Sequence, residues 1–506
     1  MNLQRWETFL QAFHPLKEVY FKVDGFFRKA FVPLASRLMM GMMVFGALVT
    51  LLIQVLAIQH RYPLDYGEAP LVDQAMRLSR GIPIYRNNLD TPPFTISNYP
   101  PLYILSLVPW VSLFGPNFWA GRLISTLCAW WTAWMIYRLV FRLSGDRAAA
   151  LAGGLLFIAN PFVSHWSALL RIDLLALAFC VSGLELLTRK PLSPRAFWGG
   201  ALCLIAAIFT RQSYALAAPF AAFVWFLFED KGKAFRLALV VGGISLALAG
   251  LLNIMTQGGF FFNIVTANVN DFGLDRLRWN FQHLWMVLKY LLVLAGFSLL
   301  QHPLHSSSWR LTAPFLVGAF LSSLTIGKIG SNVNYFLELC AALALCGGVM
   351  LAKLRQQPRL AWLQVVLLLV LTVQGSDMMR ASFNEFGADL GGRMKRINEL
   401  RRLEALVSAV DGPVLADEYM GMITLNGRYL YLQPFEMTQL ANAGIWDETP
   451  LAESIRNKEF DLILIHYFPF FDVYKERWTP VMLAMIERNY KEFETLADTK
   501  VYIPIR

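Results

Sequence analysis

Residues 38–58 read LMMGMMVFGALVTLLIQVLAI and carry no charged side chain. An uncharged stretch of this length can cross a lipid bilayer as a helix. Shortly after it comes Asp65-Tyr66-Gly67-Glu68, so two carboxylates lie where a first membrane span would emerge into a polar loop. Acidic groups at such a position are costly unless they face water, a cation or a substrate. The stretch therefore predicts a membrane helix followed by either a solvated loop or a functional acidic motif.

The chain as a whole has the composition of an integral membrane protein. Of its 506 residues, 56% are hydrophobic and only 16% are charged. The formal net charge of +10 does not indicate nucleic-acid binding, because the Lys and Arg residues cluster in short loops between apolar runs, as topology signals do. The cysteines all lie in apolar stretches without metal-ligand spacing, so we expect them to be packing residues: Cys128, Cys180, Cys203, Cys340 and Cys346.

The basic loops predict one topology when they are placed on the cytoplasmic side of a plasma membrane, as in a bacterial inner membrane. Residues 1–37 would form a basic amphipathic leader on the cytoplasmic face, and residues 38–376 a multi-pass module of about eleven transmembrane helices. The first long loop (residues 59–116) and the second long loop (residues 257–282) would lie outside, each with an interfacial helix. In the first long loop, that helix is expected to start at Pro100-Pro101.

The composition becomes more polar from about residue 376. Short apolar runs at 413–416, 429–432, 462–466 and 501–505 alternate with helix-like stretches such as 480–489. This alternation predicts a small mixed α/β domain. We call residues 377–506 the C-terminal domain and expect it to be extracytoplasmic. The predicted fold class is thus an α-helical polytopic membrane protein with a small extracytoplasmic α/β C-terminal domain.

The same topology gathers the polar residues of the spans at the external face. They are Asp65, Glu68, Arg171, Asp173, Arg211, Gln212, Lys328, Asn332, Asn334 and Glu338. Ionisable groups at span ends commonly snorkel or pair, and Arg171 and Asp173 could form a salt bridge with each other. Snorkelling does not explain why so many converge on one face, and the convergence predicts a polar cavity open to the outside.

Short motifs follow one another in a specific order along the chain. They are Asp65-Tyr66-Gly67-Glu68, Tyr99-Pro100-Pro101-Leu102-Tyr103, Leu113-Phe114-Gly115, Arg122-Leu123 and Arg171-Ile172-Asp173, followed by the polar tail. In this order they resemble the GT-C superfamily of glycosyltransferases, especially the bacterial relatives of protein O-mannosyltransferases and aminoarabinose transferases. The resemblance implies the GT-C fold and an inverting enzyme (EC 2.4.-). Such an enzyme takes a sugar from a polyprenyl-phosphate donor to an acceptor hydroxyl on a glycan, lipid or protein.

The resemblance also implies roles for individual residues. The first acidic residue of the loop motif is the usual candidate base, which corresponds to Asp65, with Glu68 in support. Many members have Glu directly after this Asp, whereas Tyr66 and Gly67 intervene here, so the base assignment stays open between Asp65 and Glu68. The departing phosphate needs fixed cations, for which the candidates are Arg211, Lys328 and Arg171. The remaining candidate substrate-binding residues are Asp173, Gln212, Tyr99, Asn332, Asn334 and Glu338.

Two further points concern the donor and a metal. Aminoarabinose transferases often carry a Lys before the Pro-Pro step, where this chain has Asn98-Tyr99, which argues against aminoarabinose transfer. Some GT-C enzymes bind a divalent cation through carboxylates. Asp65, Glu68 and Asp173 are the candidate ligands here, although their spacing does not require a metal and no other cofactor is expected.

The alternative function is a transporter or flippase for a lipid-linked glycan. Transporters tend to have two similar halves and polar sites near the midplane of the membrane. This sequence has no visible internal repeat, and its polar residues collect at one face. The expected partners are a polyprenyl-phosphate-sugar, its acceptor and the membrane lipids, with no nucleic acid.

Overall fold

The computed structural model describes residues 14–300, 306–357, 359–468 and 472–505. Residues 1–13 of the predicted leader lie outside the described residues. The rest of the leader is helical: His14–Phe26 continues through a π-helical turn, Phe27–Phe31, into the first long helix, Val32–Gln59. The apolar run at 38–58 is therefore the central part of a helix, as predicted.

A helix, or a bent helix pair, lies at every place where the sequence predicts a span. Their bounds are Val32–Gln59, Trp119–Ser144, Arg147–Ile158 with Pro161–Ser167, Asp173–Leu187, Pro194–Thr210, Ala217–Glu229, Lys231–Met255, Leu274–Leu299, Ser307–Ser323, Leu337–Gln356 and Ala361–Ala381. By length and composition, 7 helices of the described part can cross a membrane, and the pair bent by 60° makes up to 8. The expected eleven exceeds this number because three helices, of 15, 17 and 13 residues, are short for a bilayer.

Both long loops contain helices of their own. The first long loop contains Glu68–Ser79 and Leu102–Phe114, and the second of these starts directly after Pro101, as predicted. The second long loop contains the short helical turns Gly259–Phe261 and Phe262–Thr266. The helix Leu274–Leu299 begins before residue 282, the predicted end of this loop.

Small residues allow the helices of the membrane module to pack closely. A Cβ at Gly154 would lie 2.8 Å from the carbonyl oxygen of Ala133, and one at Gly348 would lie 2.8 Å from a methyl group of Val140. Close contacts of this kind stabilise helix pairs in lipid, where the hydrophobic effect contributes little. The cysteines are buried or half-buried in the same region.

The C-terminal domain is built on a four-stranded mixed sheet. Its strands are β1 (Val414–Ala416), β2 (Leu462–His466), β3 (Tyr490–Leu496) and β4 (Thr499–Pro504), in the order β1-β2-β4-β3, with β1 parallel to β2 and the other pairs antiparallel. Its helices are Ala388–Lys395, Ile397–Ser408, Gly421–Leu425, Pro434–Asn442, Thr449–Arg456, Tyr474–Arg477 and Pro480–Asn489. The predicted α/β character is confirmed. The last membrane helix continues through Ser382–Gly387 to Lys395, so the predicted boundary at residue 376 falls inside a helix.

One predicted strand of this domain has a different role. Residues 429–432 do not join the sheet but lie against the first long loop, where the N–H of Phe94 donates to the carbonyl of Tyr431 (2.7 Å) and that of Gln433 donates to the carbonyl of Phe94 (3.0 Å). The carboxylate of Asp73 also accepts from the N–H of Leu430 (2.9 Å). These bonds dock the C-terminal domain onto the first long loop and place residues 433–436 above the helical module.

Candidate active site

A polar cavity of about 250 Å³ lies where the two long loops, the helix ends and the C-terminal domain meet. Many of the sequence-predicted site residues line it: Asp65, Tyr99, Arg171, Arg211, Gln212, Lys328, Asn332 and Asn334. Three others, Glu68, Asp173 and Glu338, are not part of the lining. The helix ends thus bring together residues that are far apart in the chain.

Asp65 and Arg171 form an ion pair on the cavity wall. Oδ1 of Asp65 accepts from Nη1 of Arg171 (3.0 Å) and from the N–H of Gly67 (2.9 Å). Gly67 is needed here, since a Cβ at this position would lie 1.5 Å from the same Nη1. Among the described residues, no hydrogen bond reaches Oδ2 of Asp65. Burial raises the pKa of Asp65 above its ordinary value, while the charge of Arg171 opposes this rise.

Asp173 lies behind the wall and holds three lining residues in place. Its buried carboxylate forms an ion pair with Arg211 and accepts from Nδ2 of Asn334 (3.0 Å) and Nε1 of Trp166 (2.6 Å). The Arg171–Asp173 pair considered from the sequence is therefore wrong, because each residue has a different partner. Arg211, for which the sequence offers no obvious acidic partner, has one in Asp173.

Lys328 differs in its charge environment from Arg171 and Arg211, the two arginines that line the cavity. It is half-buried, and no carboxylate of the described residues lies within ion-pairing distance of its ammonium group. Its loop is fixed by the second long loop, because Ile329 donates to the carbonyl of Asp271 (2.8 Å) and Asn270 donates to the carbonyl of Ile329 (2.8 Å). The cavity thus contains a lysine that no carboxylate of the described ranges neutralises.

Glu68 is part of a buried framework below the cavity. Its carboxylate accepts from Nε and Nη2 of Arg122 (2.9 and 2.7 Å) and from the N–H groups of Leu64 and Leu170 (2.8 Å each). Both side chains of the Arg122–Glu68 pair are fully buried. Asp65 precedes the helix Glu68–Ser79, so the two carboxylates do not share a helix face. This geometry assigns Glu68 the role of fixing the loop to the helices.

The remaining predicted residues divide between the wall and the interior. Gln212 donates to the carbonyl of Asn98 (3.0 Å), and the side chain of Asn332 caps the N–H of Val333 (2.7 Å). The carbonyl of Tyr99 accepts from the hydroxyl of Tyr85 (2.7 Å). Glu338 is buried in the helix Leu337–Gln356, and its Oε1 has no hydrogen-bond partner in the described part of the chain.

The sequence analysis missed the contribution of the C-terminal domain. Gln433, Phe435 and Glu436 line the cavity, and Oε2 of Glu436 is buried without a hydrogen-bond partner among the described residues. Burial raises the pKa of Glu436 to about 7, with its own backbone N–H and the charge of Arg171 opposing the rise. These residues follow a segment that reads as an ordinary strand, so no sequence signal points to a site. The docking of residues 429–432 onto the first long loop helps to bring them there.

The three candidate metal ligands do not fit a shared cation. Asp65 is bound by Arg171, Glu68 by Arg122 and Asp173 by Arg211. Each carboxylate is thus already neutralised by its own guanidinium, and a divalent ion would have to displace these partners. Within the described ranges, no group of three or more His, Cys, Asp or Glu residues is arranged to hold a metal.

Comparison with known proteins gives matches at the level of family model and fold. The family described as dolichyl-phosphate-mannose-protein mannosyltransferase matches residues 98–255. No curated protein matches the sequence. The fold is similar to ArnT from Cupriavidus metallidurans bound to undecaprenyl phosphate, with a TM-score of 0.63 and 12% identity, over 92% of this chain and 98% of that one.

Two other solved structures give the same result. ArnT from the same organism in the apo state matches with a TM-score of 0.61 and 14% identity over the same shares of the two chains. The archaeal oligosaccharyltransferase AglB from Archaeoglobus fulgidus, in complex with an inhibitory peptide and a dolichol-phosphate, matches with a TM-score of 0.55 and 11% identity, over 92% of this chain and 74% of that one. Together with the family match, these likenesses confirm the resemblance inferred from the motifs: this chain has the fold of the GT-C superfamily of glycosyltransferases.

Proposed function

We propose that the protein is an inverting glycosyltransferase that moves a sugar from a polyprenyl-phosphate donor to an acceptor hydroxyl. The observation that carries the proposal is that two groups line the same cavity. They are the carboxylate of Asp65 and the ammonium of Lys328, which has no acidic partner among the described residues. A base and a free positive charge are what this reaction requires. The fold matches support the donor class, since ArnT is bound to undecaprenyl phosphate and AglB to a dolichol-phosphate.

In the proposed reaction, Asp65 accepts the proton of the acceptor hydroxyl as its oxygen attacks the anomeric carbon of the donor sugar. A new carbon–oxygen bond forms to the acceptor, and the bond between the anomeric carbon and the phosphate oxygen breaks. The electron pair of that bond leaves with the phosphate, so the second product is the polyprenyl phosphate. Attack from the face opposite the leaving group inverts the anomeric configuration.

The three basic residues of the cavity have different roles in this scheme. Lys328 offers its full charge to the phosphate, whereas Arg211 already shares a carboxylate with Asp173. Fixed positive groups stabilise the charge that develops on the phosphate as its bond to the sugar breaks. Arg171 acts mainly on Asp65, whose ionised form it favours against the effect of burial. We therefore assign the main phosphate contact to Lys328, with Arg211 beside it.

We propose that the cavity faces the extracytoplasmic side, because the opposite helix ends carry the basic loops. The exposed residues Glu453 in the C-terminal domain and Lys233 in a basic loop are suitable reporters. In a cysteine-free background, Glu453→Cys should react with an impermeant thiol reagent in intact cells, and Lys233→Cys should react only after lysis. Labelling of Lys233→Cys in intact cells, or protection of Glu453→Cys, would contradict this topology.

The direct test offers radiolabelled polyprenyl-phosphate sugars to the purified full chain in detergent. We expect release of polyprenyl phosphate together with transfer or hydrolysis of at least one sugar, and loss of this activity in the matched control Asp65→Asn. Absence of both reactions with every donor, together with movement of a lipid-linked glycan across liposomes, would reject the transferase in favour of a flippase.

A further inference from the structure

Residues of the C-terminal domain form part of the cavity wall. The ring of Phe435 lies 5.9 Å from the ring of Tyr66 in the acidic motif, measured between centroids. On its other side it packs on Gly330 in the loop of Lys328, where a Cβ would lie 2.3 Å from the Phe435 ring. Gly330 also has a positive φ of 74°, which favours glycine. Phe435 therefore contacts both the acidic motif that contains Asp65 and the loop that contains Lys328.

Glu436 directly follows Phe435 and also lines the cavity. The groups that act on its charge are Arg171, Arg477 and Asp65, together with its own backbone N–H at the start of the helix Pro434–Asn442. Arg477 packs over Tyr66 and is held by the carboxylate of Glu418 (2.9 Å). Both neighbouring arginines thus have carboxylate partners of their own, while Oε2 of Glu436 has no hydrogen-bond partner among the described residues.

A buried acceptor atom without a donor costs free energy, which is recovered when a ligand supplies the donor. The phosphate of the donor lipid does not supply that hydrogen, since a phosphodiester is negatively charged and has no N–H or O–H group. The acceptor hydroxyl must reach Asp65. Tyr66 follows Asp65 and Phe435 precedes Glu436, and the rings of Tyr66 and Phe435 lie 5.9 Å apart between centroids. Asp65 and Glu436 also line the same cavity. The two carboxylates therefore border the same part of the cavity, where the acceptor has to bind.

We propose, given the proposed transferase function, that Glu436 binds the acceptor by accepting a hydrogen bond from a second donor group close to the attacking hydroxyl. The carboxylate selects the chemical class of the acceptor: its reacting end is a neutral polyol, such as a sugar, or carries a cationic group. The ionised form of Glu436, which predominates above its pKa of about 7, repels an acceptor with an anionic group at this position. Glu436 is thus a specificity residue supplied by the C-terminal domain, and Asp65 remains the base.

The test compares Glu436→Ala with the matched control Glu453→Ala, which removes an exposed glutamate of the same domain. The full-length variants receive the donor that the wild-type protein uses, and a deproteinised envelope extract of the source cells supplies the acceptor. Undecaprenyl phosphate binding to each variant is measured separately and also reports correct folding.

For Glu436→Ala we expect the half-saturating amount of extract to rise at least about tenfold, which corresponds to the loss of one hydrogen bond to a charged group. Its affinity for undecaprenyl phosphate should stay within about twofold of the wild-type value, and Glu453→Ala should match the wild type in both measurements. An unchanged half-saturation, or a parallel loss of undecaprenyl phosphate binding, would overturn the inference. If the wild-type protein transfers sugar and Glu436→Ala behaves normally, only this inference fails; if the wild-type protein neither transfers nor hydrolyses the sugar of any donor, the proposed function itself fails.

Discussion

Arg171 and Asp65 are 106 residues apart in the sequence, yet Nη1 of the arginine lies 3.0 Å from Oδ1 of the aspartate. Next to them, Asp173 pairs with Arg211 instead of with the arginine two positions before it. The two ion pairs connect the acidic loop motif and two separate helix ends. They neutralise two arginines of the cavity and leave Lys328 as a lining cation without an acidic partner in the described part of the chain.

Replacing Lys328 should weaken donor binding without affecting the fold. Lys328→Ala removes a half-buried ammonium that neutralises no carboxylate of the described residues, so the loss should be confined to the ligand. We expect undecaprenyl phosphate to bind more weakly by about 1.5–3 kcal/mol, as for a hydrogen bond to a charged group. Equilibrium binding of labelled undecaprenyl phosphate provides the measurement, with Lys328→Arg as the charge-preserving control. Equal affinity in Lys328→Ala and the wild-type protein would remove Lys328 from the phosphate site.

Replacing Arg211 should primarily reduce stability. Arg211→Ala leaves the carboxyl group of Asp173 buried and without its main partner. Loss of one partner of a buried pair typically costs about 3–5 kcal/mol. Denaturant unfolding in detergent should show this loss, and the double variant Arg211→Ala/Asp173→Asn should recover part of it because no unpaired charge remains. A fully stable Arg211→Ala protein that has lost only ligand binding would show that Arg211 serves the ligand alone.

Glu68→Gln should also act through the fold. The change leaves the guanidinium of Arg122 fully buried without its carboxylate, so we expect a loss of stability of about 3–5 kcal/mol. The variant should unfold at lower denaturant concentration, and the protein that stays folded should still bind undecaprenyl phosphate. A stable variant with normal lipid binding and no transfer would instead point to a catalytic role for Glu68.

The sequence was sufficient to predict the positions of the helices, and eight of its eleven candidate site residues line the cavity. Uncharged runs and basic loops determine where helices lie and which ends meet, so residues as distant as Tyr99, Arg171 and Lys328 could be expected at one face. The pairing of individual charges could not be predicted, because side-chain contacts depend on how the helices rotate about their axes. Thus the sequence allowed a salt bridge between Asp173 and its neighbour Arg171, whereas the partner of Asp173 is Arg211.

The C-terminal contribution was unpredictable for a different reason. An apolar run such as residues 429–432 has the pattern of a strand wherever its hydrogen-bond partner lies. Here its partner is Phe94 in the first long loop and not the sheet of its own domain. The position of Glu436 follows from this docking and from the packing of Phe435 on Tyr66 and Gly330, which local patterns do not encode.

The pH dependence of transfer should reflect the ionisation of Asp65. A base works only when it is deprotonated, so kcat/KM should rise with pH and fall as pH drops through the pKa of the folded protein. Burial raises the pKa of Asp65, and the acidic limb should therefore lie above the value of about 3.9 for an unperturbed aspartate. Because the pKa of Glu436 is about 7, the profile is best measured in Glu436→Gln as well. An acidic limb at or below about 3.9 in both proteins would contradict this assignment.

The rate of sugar transfer by Asp65→Asn tests the central claim most directly. Asparagine keeps the size and the carbonyl oxygen that can accept from Arg171, but it cannot take a proton from the acceptor. We predict that transfer falls by about 10²–10⁴-fold, the usual range for removal of a general base, while undecaprenyl phosphate binds as tightly as to the wild-type protein or more tightly. Near-normal turnover of Asp65→Asn, measured with the same donor and acceptor, would show that Asp65 is not the catalytic base.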